Sequence, residues 1–173
     1  MSIANLNLVT LTQGEYRASR DPIVLSTILG SCVSVCLHDP GTGIGGMNHF
    51  LLPDGDCSRD ANSERYGVNA MEQLINALLR LGARRTGLVA KAFGGANMSS
   101  RLAPIGDGNA AFTREFLATE GISCIAESFG GTNARRLLFW TDTGRAQQLL
   151  VPGTMDEAPP RPERPTTPKV TLF

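Results

Sequence analysis

Between Pro22 and Pro53 the chain runs through three β-prone segments broken at Gly30-Ser31 and at Asp39-Pro40-Gly41-Thr42-Gly43. Turn residues of this kind between apolar runs predict strands folded back on one another. From Val33 onward the residues alternate. Val33, Val35 and Leu37 share one face of the predicted strand, and Cys32, Ser34, Cys36 and His38 the other. Both histidines and two of the four cysteines lie in this stretch. Cys32 follows the Gly30-Ser31 pair, so its thiol is expected at a turn where backbone amides are unpaired. His49 lies beyond the second turn, which predicts that cysteine and histidine meet across neighbouring strands.

The flanking segments supply the rest of a layered fold. Leu6 to Leu11 alternates and suits a first strand ending at the Gln13-Gly14 turn, and Tyr16 to Ser19 is short and polar. Gly43, Gly45 and Gly46 suggest close backbone approach or a bulge beside the site. Asp54 to Arg65 reads as a surface loop. Val68, Met71, Ile75, Leu78 and Leu79 follow helical spacing, with Gly82 placed as a C-cap of positive φ. Leu88 to Phe93 reads as a buried strand ending at Gly94-Gly95, and Asn97 to Gly108 as a long loop. Asn109 is expected to cap a second helix whose Phe112, Phe116 and Leu117 face the core and whose stop is Gly121. Ile122 to Phe129, Leu137 to Thr141 and Gln147 to Val151 are three further strands.

Seven or so strands with two helices between them fit a mixed α/β sandwich with helices on one side of a sheet layer. Its 173 residues suffice for one domain with a sizeable core. That domain is placed at residues 1–151. From Pro152 to Phe173, which holds six of the ten prolines, a tail without order is expected.

Sixteen basic and sixteen acidic residues cancel, which argues against nucleic acid or an anionic membrane surface as partner and favours a protein. No apolar run approaches the ~18 residues of a membrane span, and the first residues do not read as a secretion signal. A cytoplasmic protein with reduced thiols is therefore expected.

The block LGSCVSVCLHDP with GIGGMNHFLLP, then KAFGGANM at Lys91 to Met98, IGDGNAAFTREFLATEGI at Ile105 to Ile122, and FGGTNARRLLFWTDTG at Phe129 to Gly144, resembles the chemotaxis family CheD. The resemblance extends over roughly Leu8 to Val151. It implies a three-layer mixed-sheet α/β sandwich similar to bacterial toxin deamidase domains. It also implies a protein-glutamine deamidase acting on methyl-accepting chemoreceptors, in some relatives with receptor methylesterase activity as well. A CheC-type phosphatase is the second implied partner.

Deamidation is acyl transfer, for which Cys32 is the expected nucleophile and His49 its base. An activated Cys32 is expected to react well below the pH at which an ordinary thiol does. The backbone amides of Ser31 and Cys32 are candidate oxyanion donors. The family places a threonine before the cysteine to orient the imidazole. Thr27 fits by residue type, and Ser26 is the alternative by register. No cofactor and no metal are expected.

Two rival readings stand beside this one. Cys32, Cys36 and His38, with His49 and Cys57 in reach, offer zinc donors, although C-x3-C-x-H lacks the usual knuckle spacing. The chain is alternatively a non-catalytic module that binds chemoreceptors or the CheC-type phosphatase. Cys36, His38 and Cys124 are given no role, Arg135-Arg136 reads as a solvated pair, and the glycine pairs read as tight turns.

Overall fold

The structure, a computed structural model, describes residues 7–53, 61–99, 104–152 and 170–173. Two five-stranded sheets lie face to face. One has the order β1-β3-β8-β9-β10 and the other β2-β5-β4-β6-β7. In chain order the strands are β1 (Asn7–Thr10), β2 (Tyr16–Ser19), β3 (Ile23–Leu29), β4 (Val33–Asp39), β5 (Ile44–Asn48), β6 (Val89–Gly94), β7 (Ser123–Phe129), β8 (Ala134–Trp140), β9 (Ala146–Val151) and β10 (Val170–Leu172). Helices α1 (Ala61–Leu81) and α2 (Ile105–Thr119) cover the outer face of the second sheet.

The alternation read along β4 explains the layering. Val33, Val35 and Leu37 point to the helices, packing with Met71, Leu74, Ile75 and Leu78 of α1 and with Phe116 and Leu117 of α2. Cys36 points the other way, into a core shared with Leu25, Leu29, Leu137 and Phe139 of the first sheet. As the middle strand of the middle layer, β4 is buried along its whole length. The arrangement is the expected three-layer α/β sandwich, with mixed strand directions: β1–β3 and β6–β7 are parallel pairs and the others antiparallel.

Several local expectations hold. Gly82 closes α1 with φ of 104°, and its N–H and that of Ala83 reach back to the Leu79 and Leu78 carbonyls. Gly45 serves close approach, since a Cβ there would stand 2.4 Å from the Thr141 carbonyl oxygen.

Other expectations are corrected. Residues 61–65 are already helical, so the predicted loop from Asp54 is shorter, and its residues 54–60 lie outside the described residues. Tyr16–Ser19 is a strand, paired with β5 through Tyr16↔Asn48 to Ser19↔Gly45. Helix α2 starts at Ile105 behind Pro104, so Asn109 sits one turn inside it and is no cap. A proline fits a helix start because it lacks only an N–H that has no helical partner there. Arg135 is 3% exposed and donates to the Ser128 and Gly130 carbonyls, while Arg136 is exposed, so the two are not a solvated pair. Strand parity turns the first inward and the second outward.

The tail is corrected at its last residues. Val170–Leu172 adds a strand to β9, Phe173 exchanges backbone hydrogen bonds with Ala146, and its ring meets Phe93 edge-on at 5.1 Å. Val170 and Leu172 stay exposed, and it is the Phe173 ring, packed against the core between the sheets, together with the ladder to β9, that holds these last residues, which proline content alone conceals. Residues 153–169 lie outside the described residues.

Candidate active site

The turn between β3 and β4 is gripped through its carbonyls. Gly30 O accepts from the Ala96 amide at 3.0 Å, Ser31 O from Asn109 Nδ2 at 2.9 Å, and Cys32 O from the Gly95 amide at 2.8 Å. Gly94 permits this approach, because at its φ of 117° a Cβ would lie 2.1 Å from the Cys32 carbonyl oxygen. Among the described residues no hydrogen-bond acceptor engages the Ser31 or Cys32 amide, and the Cys32 amide stands by its own sulfur. Asn109 also accepts from the Leu52 amide at 2.9 Å, so one buried side chain joins the residue before Cys32 to the segment after His49.

His49 follows β5. Val33 and Phe50 exchange both backbone hydrogen bonds at 2.9 Å, which places His49 opposite Ser34 and diagonal to Cys32 on the face turned toward the first sheet. Diagonal neighbours of this kind have Cα atoms roughly 7–8 Å apart, within reach of an imidazole. From the facing sheet, Thr27 Oγ1 lies 2.7 Å from His49 Nδ1 and 2.8 Å from the Leu11 carbonyl oxygen. The hydroxyl has one proton and gives it to the carbonyl, so it accepts from Nδ1–H. Nε2 is thereby left as the free acceptor. It is buried and has no hydrogen-bond partner among the described residues.

The parity of β3 separates the two hydroxyl candidates. Thr27 is 1% exposed on the inner face with Leu25 and Leu29, whereas Ser26 lies on the outer face, with its carbonyl oxygen bound to the Leu11 amide. Thr27 reaches His49 and Ser26 does not. The histidine's polar partner thus comes from the other sheet.

Cys32 and His49 are not hydrogen-bonded to each other. The Cys32 thiol donates to Gln13 Oε1 at 3.6 Å, a partner the sequence reading gave only as part of a turn. Burial raises the Cys32 thiol above the ordinary thiol value, opposed by its own amide. Burial likewise lowers His49, opposed by the Leu11 carbonyl and the Glu15 carboxylate. Both effects disfavour charge, so the resting pair is a neutral thiol and a neutral imidazole. Burial therefore opposes the expected thiol reactivity at unusually low pH.

The remaining candidates do not gather here. His38 engages the Asp142 carbonyl oxygen at 2.9 Å, and Cys36 is buried between the sheets, where desolvation drives its thiol far upward. Cys124 is exposed on β7, and Cys57 lies outside the described residues. The zinc cluster considered from sequence does not assemble: among the described residues no three of His, Cys, Asp and Glu stand together as a metal group.

Comparisons with known proteins point one way. The model of the family described as CheD chemotactic sensory transduction matches residues 51–148. A Caulobacter vibrioides protein named "Probable chemoreceptor glutamine deamidase CheD" is 52% identical over 162 residues, covering 92% of this chain and 86% of its own length. A Sinorhizobium medicae protein of the same name is 52% identical over 165 residues, covering 93% and 90%. In fold, the chain is similar to the crystal structure of a Neisseria meningitidis protein of family DUF152, with TM-score 0.52, 11% identity, and coverage of 80% and 76%. A site set between two sheets, read with half-identical relatives over nearly the whole chain, places this chain in the CheD family.

Proposed function

We propose that the chain is a protein-glutamine deamidase that converts glutamines of methyl-accepting chemoreceptors to glutamates, with Cys32 as nucleophile, His49 as base and Thr27 as the residue that orients it. The observation that carries this is the free Nε2 of His49, held by the Thr27 contact on the face shared with Cys32. A buried polar atom without a partner costs about 1–3 kcal/mol. A purely docking role gives that cost no return, whereas a proton acceptor awaiting a thiol explains it.

The chemistry follows from these atoms. The Cys32 thiol turns from Gln13 to His49 Nε2 and passes its proton there as Sγ bonds to the carboxamide carbon of the substrate. The negative charge moves to the carboxamide oxygen, toward the Ser31 and Cys32 amides. As the oxyanion collapses, the C–N bond breaks and the nitrogen leaves as ammonia with the proton from Nε2. A water then gives its proton to Nε2 and attacks the thioester. Cleavage of the C–S bond releases glutamate and returns the proton to sulfur. No other group is consumed.

Each conversion adds one negative charge to a receptor helix and so shifts its signalling balance. On this reading the protein works in the cytoplasm, where receptor signalling helices are reached, and a CheC-type phosphatase competes with receptors for it. No helix among the described residues is long and apolar enough to cross a membrane. Incubating a receptor cytoplasmic domain with the wild type and with Cys32→Ala tests the proposal by peptide mass spectrometry. Glutamine-to-glutamate conversion by the wild type alone is expected. Conversion by both removes Cys32 as nucleophile, and conversion by neither favours a binding module.

A further inference from the structure

We propose that Gln13 is a further catalytic residue, whose side-chain carboxamide donates a hydrogen bond first to the Cys32 thiolate and then to the oxyanion of the tetrahedral intermediate. This rests on Cys32 being the nucleophile of the deamidase reading above.

Contact with the reacting atom comes first. The thiol's hydrogen bond goes to Gln13 Oε1 at 3.6 Å and not to His49. That contact fits only the protonated sulfur, because a carboxamide oxygen accepts and a thiolate has nothing to give. Once the proton moves to His49, Sγ becomes an acceptor beside the same carboxamide. Half a turn about the terminal torsion, which is broad and roughly two-fold for a glutamine, exchanges oxygen for the NH₂ group. One carboxamide therefore matches both charge states of the sulfur. The oxyanion forms on the carbon bonded to Sγ, so it lies within the span of the same NH₂ group.

Gln13 is also anchored as a catalytic group must be. It is exposed, so core packing does not account for its place. Yet the turn that carries it is tied to the other members of the site. The Leu11 carbonyl takes the Thr27 hydroxyl proton, the Gly14 amide donates to the His49 carbonyl at 2.8 Å, and the His49 amide donates to the Glu15 carbonyl at 2.9 Å. The Thr12 amide closes the turn on Glu15 Oε2 at 2.7 Å. Gly14 takes φ of 89°, which lets the chain reverse there. The backbone that bears the carboxamide is thereby fixed to the imidazole on either side. Burial disfavours charge at both Cys32 and His49, so the site needs donors that appear when the sulfur ionises.

Gln13→Met keeps the length and removes the donors, and Gln13→Glu keeps the shape and offers only acceptors. Both are compared with the wild type for receptor deamidation and for the pH dependence of iodoacetamide labelling, read at the Cys32 peptide so that exposed Cys124 does not contribute. The expected result is a kcat lower by roughly 100-fold in both variants, in the range for losing one oxyanion donor, with KM within about threefold. The labelling midpoint of Cys32 moves to higher pH in both, further in Gln13→Glu. A purely structural role lowers the melting temperature and leaves that midpoint in place.

Wild-type kcat in Gln13→Met with an unmoved midpoint overturns the inference and leaves the deamidase reading standing. Faster turnover in Gln13→Met also overturns it, because Gln13 would then be a latch on the thiol. If the wild type converts no receptor glutamine yet the midpoint moves, the deamidase reading falls and the hold of Gln13 on the thiolate stands. An unmoved midpoint in that case removes both.

Discussion

Thr27 lies in one sheet and His49 directly follows a strand of the other, yet Thr27 Oγ1 and His49 Nδ1 meet at 2.7 Å. Because the hydroxyl spends its proton on the Leu11 carbonyl, the contact selects one tautomer of the imidazole. Thr27→Val keeps the shape and removes the acceptor. Its kcat is expected to fall roughly 10- to 100-fold, the range seen when a group that orients another is lost, with KM little changed. Thr27→Ser should recover most of the rate. An unchanged kcat in Thr27→Val removes the threonine from the mechanism.

The pH profile follows from burial. His49 is pushed below its usual 6.5, so the folded protein binds its proton less readily than the unfolded chain does. The stability this group supplies is complete above about pH 6.5 and is lost as pH falls through the lower folded value. Cys32 is pushed above its usual 9.0, so its share is complete below about pH 9 and is lost as pH rises through the higher folded value. The acid limb of kcat/KM is accordingly expected below pH 6.5. Labelling of Cys32 by iodoacetamide at neutral pH should be slow. A labelling midpoint far below 9 would contradict the neutral resting pair.

Two glycines with positive φ are expected to respond differently to one methyl group. At Gly94 a Cβ would stand 2.1 Å from the Cys32 carbonyl, while at Gly121, with φ of 67°, it meets nothing within 4 Å. Gly121→Ala should cost about 1–2 kcal/mol, the left-handed backbone penalty alone. Gly94→Ala should cost more and should also abolish turnover, because the clash moves the peptide of the proposed nucleophile. Urea titrations and kcat on both variants check this, and equal effects would refute it.

Asn109 is 1% exposed and serves the Ser31 carbonyl and the Leu52 amide at once. Asn109→Ala leaves two backbone groups unpaired, at about 2–6 kcal/mol together. Roughly 2–4 °C of melting temperature per kcal/mol follows for a domain of this size. Calorimetry reads the shift, and a variant as stable as the wild type would show that the bridge contributes nothing.

Residue pattern anticipated what depends on local rules. The alternation along β4, the spacing in α1 and the C-cap at Gly82 are set by periods of two and 3.6 residues, and these survive in the fold. A turn and a motif single out Cys32 and His49, and the fold sets the two diagonally on one face. Contacts between distant segments were not legible in the sequence. Choosing Thr27 over Ser26 takes strand parity together with knowledge of which sheet faces the histidine. Asn109 resembled a cap because its type favours helix starts, while its actual partners belong to segments far away in sequence. Gln13 gave no sign beyond a turn, because an exposed amide resembles any other until the thiol is placed beside it.

The seam between the two sheets carries a kinetic consequence. On the proposed mechanism each sheet holds part of the apparatus, with Thr27 in one and Cys32 and His49 at the other. A refolding chain that has built both sheets but not yet locked them together possesses every reacting atom and no aligned proton acceptor. Recovery of turnover should therefore trail the return of β-structure signal, and the interval between them clocks the closing of the sandwich.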